Sequence, residues 1–480
     1  MSTQAEQVPG DLIEVEIGAP AHGGHFVARY EGRVVFVRHA LPGERVRARL
    51  TDAGEGARFW RADTVEVLDA SEHRVPHFWP EADSLARHAA GELPVGGAEF
   101  GHAELGYQRE LKSAVVREQL ERLAGLHAAD VGFTGVEAAP GERADGLAWR
   151  TRAAFSVDAA GRLAMNAHHS DRLVAIGDMP LAVDAINALG LASLPLHGLE
   201  RIEVAAPSGG GEPLVLLVED PAARPGAAGR VAKALPEGTN AAVITQQGGS
   251  AADGGGTLRR LRGRTWVAER AAGNDYRVTG EGFWQIHRCA PDALYDVVHR
   301  ILAPEPGQAF ADLYAGAGLF TVPLARAVGP AGLVISIEGA PGTSKDARRN
   351  VHGLDQALVR QGRVEKVLRQ EAARLPAGLD GIVLDPPRTG VGRAAVAAVA
   401  AARPARIAYV SCDPASFARD IRDFALKGYV LESLRALDLY PHTHPAQTPA
   451  VPRIVFDRRG DFAFTHVHLG DTPVGWDASR

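Results

Sequence analysis

The chain has 480 residues, 46% of them hydrophobic and 23% charged, which argues for a water-soluble protein of two or three domains. No run approaches the roughly 20 apolar residues of a membrane span, and the opening MSTQAEQVPGD lacks the basic and apolar regions of a secretion signal. Two cysteines, Cys289 and Cys412, are too few for a disulfide framework or a four-thiolate metal site, so a cytoplasmic location is expected and either thiol matters, if at all, for its reactivity.

Residues 11–68 alternate apolar and polar positions in short runs (LIEVEIG, HFVARY, RVVFVRHA, ERVRARL, FWRADTVEVL) punctuated by Gly18, Gly23, Gly24, Gly32, Pro42, Gly43 and Gly54. Period two with turns at this spacing predicts a small antiparallel barrel. The net charge of −6 is not that of a typical nucleic-acid binder, but eight arginines face only four acids over residues 29–61. Such a local excess suits a nucleic-acid-binding barrel, or merely a solvated strand surface. A Pro-, Gly- and His-rich linker follows over 71–101. The spacing of Leu111, Val115, Leu120 and Leu123 predicts a helix over 107–126. Residues 149–266 are mixed: WRTRAAFSVD and GRLAMNAHH suggest a hairpin, LAVDAINALGLASL a helix, and ERIEVAAP, LVLLVED and AAVITQQ strands. The runs SGGGEP and GGSAADGGG are flexible connections.

From residue 280 short buried strands alternate with helices (AFADLYAG, LVISIEG, GIVLDPP, RIAYVSC, each followed by a helical stretch). This is the pattern of a doubly wound parallel sheet, whose ligands sit at the carboxyl ends of the strands. The chain thus divides into 1–70, a barrel; 71–279, a linker and central α+β domain; and 280–480, an α/β domain. At those strand ends stand the informative residues. Gly316 and Gly318 in Asp312-Leu-Tyr-Ala-Gly-Ala-Gly-Leu-Phe320 allow a tight turn and close approach of a ligand to the backbone. No Gly-Lys-Ser/Thr follows, which excludes a phosphate-cradling loop. Glu338, ending the next strand, can accept both ribose hydroxyls; hydride transfer and methyl transfer remain equal at this point. Asp385-Pro-Pro-Arg-Thr-Gly390 separates them, because a stiff acidic loop suits a flat base beside the cofactor and is not a feature of nicotinamide sites. Cys412 follows the strand RIAYVS and precedes a helix whose N-terminus favours a thiolate. It is the candidate nucleophile, whereas Cys289 reads as structural.

With these motifs, the chain resembles the TRAM-domain RNA uridine-C5 methyltransferases over about residues 11–445. The likeness is carried by LPGERV, WRTR at 149–152, FWQIH at 283–287, DLYAGAGLF, SIE, LDPPRTG, YVSCDPASFARDI and DLYPHTH. It implies a Rossmann-like methyltransferase sheet behind an OB-like TRAM barrel, and S-adenosylmethionine bound through Gln285, Tyr314, Glu338 and Asp385. It implies Cys412 as the nucleophile that adds to C6 of a flipped-out uracil, and RNA held by the barrel and by Arg150 and Arg152. Ribosomal RNA is favoured over transfer RNA; a monomer with no DNA or membrane partner is expected. Two departures stand out. Val95 and Ala98 fall where many members carry iron–sulfur ligands, so neither a cluster nor any other metal is expected. Gln447 stands where the family places the glutamate that removes the C5 proton. His442 or His444 could take that role or simply cap backbone groups. The alternative function is an RNA-binding member that has lost turnover with its base.

Overall fold

A computed structural model describes residues 8–54, 56–167, 170–245, 257–375 and 378–443, together with the backbone of Arg453–Val455. Strands β1 (Leu12–Ala21), β2 (His25–Tyr30), β3 (Arg33–Arg38), β4 (Arg45–Asp52) and β5 (Trp60–Asp69) close a barrel in the order β1-β2-β3-β5-β4. Alternation decides what fills it: Ile13, Val15 and Ile17 of β1 point inward and are buried, while Leu12, Glu14 and Glu16 between them face water. Gly18 sits where β1 kinks toward β2, and a Cβ there would meet the Val27 carbonyl at 2.8 Å. The linker carries α1 (Ser84–Ala89) and leads into α2 (Leu105–Gln119). Phe100 and Leu111 join the barrel core from these two segments. The end of α2 loosens into a wider turn over Leu120–Ala124, which Gly125 stops with a left-handed φ of 66°.

After the short β6 (Val136–Ala138), a mixed sheet is built from β7 (Arg152–Val157), β8 (Leu163–Asn166), β9 (Leu173–Ala175), β10 (Leu199–Ala205), β11 (Leu214–Glu219), β12 (Asn240–Thr245) and β13 (Thr257–Arg262). Its order is β13-β12-β11-β10-β7-β8-β9, with β13 and β9 at the edges. The expected β7–β8 hairpin is present. The predicted helix in LAVDAINALGLASL reduces to α3 (Asp184–Asn187) and a single 3₁₀ turn, because Gly190 between them adopts φ 60°. Helix α4 (Ala227–Ala234) covers one face of the sheet. The hairpin of β14 (Trp266–Ala271) and β15 (Asn274–Thr279) lies on the other, where Val267 meets Leu216 and Ala242.

The remaining elements are α5 (Ala290–Leu302), β16 (Ala309–Leu313), α6 (Thr321–Val328), β17 (Leu333–Glu338), α7 (Pro341–Asn350), β18 (Ala357–Gln361), α8 (Val364–Ala372), β19 (Gly381–Leu384), α9 (Gly392–Ala401), β20 (Arg406–Tyr409), α10 (Pro414–Ala425), β21 (Arg435–Asp438) and β22 (Arg453–Val455). The parallel sheet runs β18-β17-β16-β19-β20, all neighbours in the same direction. Alternate residues feed two cores. Phe310, Val334, Val383 and Ala408 join the core shared with the central sheet, and Leu313, Ile337, Leu384 and Tyr409 join the core under α8 to α10. Both faces are covered, which is why these strands read as unbroken apolar runs. The chain order reverses across β16, so the crevice beyond its carboxyl end is the place for a ligand.

The segment YVLESLRALD forms only the short β21. It pairs with β6 and β22 instead of extending the main sheet, and the buried Asp438 at its end holds Lys112 of α2 at 2.7 Å. Among the described residues no helix is long and apolar enough to cross a membrane.

Candidate active site

The first wall of the crevice is the turn after β16. Gly316 takes φ 55° and Tyr314, a residue with a side chain, takes 62°; a left-handed non-glycine residue at a cavity is a common mark of function. Glu338 pins this turn. One carboxylate oxygen accepts from Gly316 N at 2.8 Å and the other from Ala340 N at 2.7 Å. Each oxygen keeps accepting capacity for a further donor, such as a ribose hydroxyl. Beneath the turn, Asp312 is fully buried, and its Oδ2 meets the Thr321 hydroxyl at 2.5 Å. Burial pushes its carboxyl up to about 7, and the neighbouring acids Asp385 and Glu338 add to the rise.

The second wall is the loop after β19. Asp385 accepts from Gln285 Nε2 at 3.1 Å, and Gly390 closes the loop with φ 83° and a bond to the Pro387 carbonyl of 2.9 Å. A Cβ at Gly390 would lie 2.4 Å from the Asp420 carboxylate. That carboxylate, from α10, takes the amides of Val391 (2.6 Å) and Gly392 (3.1 Å) and the Tyr409 hydroxyl (2.7 Å). One buried acid therefore locks the Pro-Pro loop to the helix that begins just after Cys412.

The third wall is Cys412 itself. Beyond β20, Val410 N reaches the Leu384 carbonyl at 2.7 Å, so the strand direction carries on to the thiol. Asp413 caps α10 by accepting from Ser416 N at 2.7 Å. Its other oxygen meets His22 Nε2, on the β1–β2 turn of the barrel, at 2.8 Å. Burial disfavours the charge on Asp413, but the bonds to His22 and Ser416 outweigh it and hold the carboxyl below its usual range. Cys412 is 7% exposed, and it faces a mostly apolar cavity of about 680 Å³ that it lines together with Gln285, Tyr314, Glu338 and Asp385. Five residues singled out by sequence, from four strand ends and the loop before α5, thus share one cavity. A thiol, an acid-proline loop and a glycine turn around that volume can hold an adenosine-bearing cofactor beside a planar base.

The other expectations fall elsewhere. Arg150 and Arg152 line a separate cavity of about 170 Å³ with Glu203, Gly280 and Ile286. Arg150 Nε donates to the Arg152 carbonyl (2.7 Å), and Arg152 Nη1 donates to the Gly282 carbonyl (2.6 Å). Burial lowers both, Arg150 to about 10. Arg152 braces the backbone that leads into Phe283, Trp284 and Gln285, and Arg150 braces Arg152. His442 is buried and doubly engaged: Nδ1 accepts from Gln108 Nε2 at 3.1 Å, and Nε2 donates to the Asp145 carbonyl at 2.8 Å. Burial lowers it to about 4, which fits the backbone-capping role. Gln447 and His444 lie outside the described residues. Val95 and Ala98 pack with Trp79 and Met179 in the main core. Among the described residues, no group of three or more His, Cys, Asp or Glu could hold a metal ion.

Sequence reasoning missed several cavity-lining residues, Phe283, Arg363 and Glu365 among them. Phe283, 46% exposed, lies within FWQIH but was not distinguishable there from its neighbours. Arg363 and Glu365 stand at the start of α8, outside every motif read from the sequence.

A TRAM-domain model matches residues 6–59. An uncharacterized RNA methyltransferase of Streptomyces avermitilis is 40% identical over 447 residues, spanning 92% of this chain and 98% of its own length. One from Bifidobacterium longum is 36% identical over 453 residues, spanning 91% and 96%. The chain belongs to the RNA methyltransferases. The methyltransferase also shares its fold with the Pyrococcus abyssi tRNA (uracil-54, C5)-methyltransferase, solved with S-adenosyl-L-homocysteine; TM-score is 0.66 at 20% identity, covering 92% of this chain and 98% of that one. The fold likeness therefore embraces the barrel, central sheet and methyltransferase sheet together.

Proposed function

We propose that this methyltransferase uses S-adenosylmethionine to make 5-methyluridine in RNA, with Cys412 as a covalent nucleophile. The observation that carries the reading is the shared cavity: the only thiol at a strand tip of the described parallel sheet faces the glycine turn and the Asp385 loop. The residues fit the cofactor. Glu338 has acceptor capacity for the ribose, the Gly316 turn permits close approach, and Tyr314, Gln285 and Asp385 would complete its contacts. When bound, S-adenosylmethionine supplies an electrophilic methyl group.

C5 of uracil is too weak a nucleophile to take that methyl unaided. Addition of the Cys412 thiolate to C6 moves electron density onto C5 and O4; after C5 is methylated, loss of the C5 proton expels the thiolate and restores the ring. The base must be flipped out of its stack to reach the thiol. Gln447, at the family's position for the proton-accepting glutamate, is an amide. A binding-only protein is the reading this residue favours, and transfer of labelled methyl to RNA would exclude it.

We place the substrate in ribosomal RNA of the cytoplasm and the working form as a monomer. The family likeness supports the ribosomal substrate. Nucleoside mass spectrometry of ribosomal and transfer RNA from cells with and without the gene tests this. Loss of 5-methyluridine from ribosomal RNA is expected; loss of another methylated nucleoside would remove the C5 mechanism, and loss from transfer RNA alone would move the substrate.

A further inference from the structure

The local excess of arginine in the barrel is largely spent within the barrel. Arg38 makes a fork to Asp63, with both bonds 2.7 Å. Arg45 pairs with Asp69, Arg61 with Asp52, and Arg47 lies between Glu14 and Glu66. Arg33 turns to the carbonyls of Gly54 and Ala57. A second cationic stretch is treated differently. Residues 257–277 hold six arginines and two acids. Arg262 is structural, donating to the carbonyls of Leu235, Pro236 and Thr239, and Arg270 pairs loosely with Asp275 at 3.8 Å. Glu269 is buried on Ser208. Arg259, Arg260, Arg264 and Arg277 are exposed, and none of them pairs with a carboxylate among the described residues.

Two of these four are held in place. The guanidinium groups of Arg264 and Arg277 both lie on the indole of Trp266, at 4.9 and 4.5 Å from its centroid. Asn240 Oδ1 accepts from Arg264 N at 2.7 Å and would be struck by a Cβ on Gly263, which turns the chain with φ 64°. Arg259 and Arg260 lie on β13, an edge strand with no neighbour on its outer side among the described residues. A solvation or anti-aggregation role would explain charges on the edge strand. It does not explain two like charges fixed on one ring of the adjoining hairpin.

We infer that β13 and the β14–β15 hairpin form a docking surface for the sugar–phosphate backbone of the substrate RNA. Guanidinium groups suit phosphate oxygens, and contacts of this kind position a nucleic acid without reading its sequence. The surface is coupled to the cavity by short bonds. Arg277 N donates to Asn350 Oδ1 (2.8 Å), Asn350 Nδ2 donates to the Ala317 carbonyl in the glycine turn (2.9 Å), and Tyr276 donates to the Leu319 carbonyl (3.1 Å). A strand of RNA bound there is held in a fixed relation to the pocket in which its base reacts. The inference rests on RNA as substrate and not on the Cys412 chemistry; its readout is binding, so it fails or stands apart from methyl transfer.

The test uses the full chain and a labelled single-stranded RNA of mixed sequence, titrated at several salt concentrations. Arg260→Gln, Arg264→Gln and Arg277→Gln together are expected to weaken binding about tenfold or more and to flatten the slope of log affinity against log salt by about 2. The matched barrel variant, Arg45→Gln, Arg47→Gln and Arg61→Gln, is expected to lose less, since those charges are already compensated. Calorimetry with S-adenosylhomocysteine should be unchanged in both. If the first variant loses that binding through misfolding, Arg259→Gln with Arg260→Gln, which touches no ring, should flatten the slope by about 1. Unchanged affinity and slope in the edge variants, or an equal or larger loss in the barrel variant, overturns the inference.

Discussion

Cys289 and Cys412 both stand at the start of a helix, the first as N-cap of α5 and the second one residue before the N-cap of α10, yet their surroundings differ completely. Cys289 lies against the loop at Gly141, where a Cβ would come within 3.5 Å of its sulfur, and it makes no side-chain cap. Cys412 faces a cavity whose opposite walls are a glycine turn and a rigid acidic loop. Its helix is capped by Asp413, which is itself held from the barrel by His22. The place beside a helix N-terminus is common to both sulfurs. Only one of them has room for a reaction partner.

The largest difference should come from deleting the two sulfurs in turn. Cys412→Ala is expected to reduce methyl transfer on the order of 10³-fold or more while S-adenosylhomocysteine still binds, because the thiol activates the base and does not hold the cofactor. A 5-fluorouracil-substituted RNA should trap a covalent adduct on the wild-type chain and not on this variant. Substantial turnover in Cys412→Ala would defeat the covalent scheme.

The next effect concerns the wall that Cys289 lacks. Asp312 keeps its proton in the fold up to about 7, whereas in the unfolded chain it ionises near the ordinary carboxyl value of about 4. Between those values the unfolded state has lost the proton and the folded state has not, so stability falls as pH rises and levels off above about 7. Asp312→Asn has no such term. In urea unfolding it should gain on the wild type progressively from pH 4 to pH 7, by on the order of 1–3 kcal/mol at the upper end. A difference independent of pH would show that the buried carboxyl is charged throughout.

How much of this was legible in the sequence follows from the range of the forces involved. The alternation in β1 and the apolar runs of β16, β17 and β19 are local, and they report the barrel and the parallel sheet directly. Glycine, proline and a strand end in succession mark Tyr314 to Gly318 and Asp385 to Gly390, and those loops meet where a doubly wound sheet must bring them together. The edge strand β18 is only half-buried along most of its length and has no clear period. The three-residue strands β6 and β22 exist only because β21 lies between them, and β6 is about 300 residues distant in sequence. Charge is the sharpest case. Arg47 counts as free cation in any local window, and its partners Glu14 and Glu66 are 33 and 19 residues away.

The Asp413 cap sharpens the contrast between the helices further. Asp413→Ala removes the bond to Ser416 N, which should lower stability by about 1 kcal/mol, and it also releases His22. Asp413→Asn retains a good cap and weakens the link to the barrel. If the cap alone matters, the asparagine variant turns over like the wild type; if the barrel contact presents the catalytic strand end to RNA, it keeps its stability and loses severalfold in kcat/KM for RNA. His22→Ala should then reproduce the asparagine result without touching the cap.

The smallest effect is the one on which the contrast most depends. Cys289→Ala removes a sulfur from the start of α5, where the residue already offers no side-chain hydrogen bond to the first turn, and where alanine fits the same backbone. Methyl transfer, adduct formation and cofactor affinity should all match the wild type, with a stability change within about 1 kcal/mol. A marked loss of turnover with intact folding would mean that a helix-start thiol outside the cavity takes part in the reaction. In that case the enclosure around Cys412 is not what distinguishes the two sulfurs, and the pocket would need a second group supplied from α5.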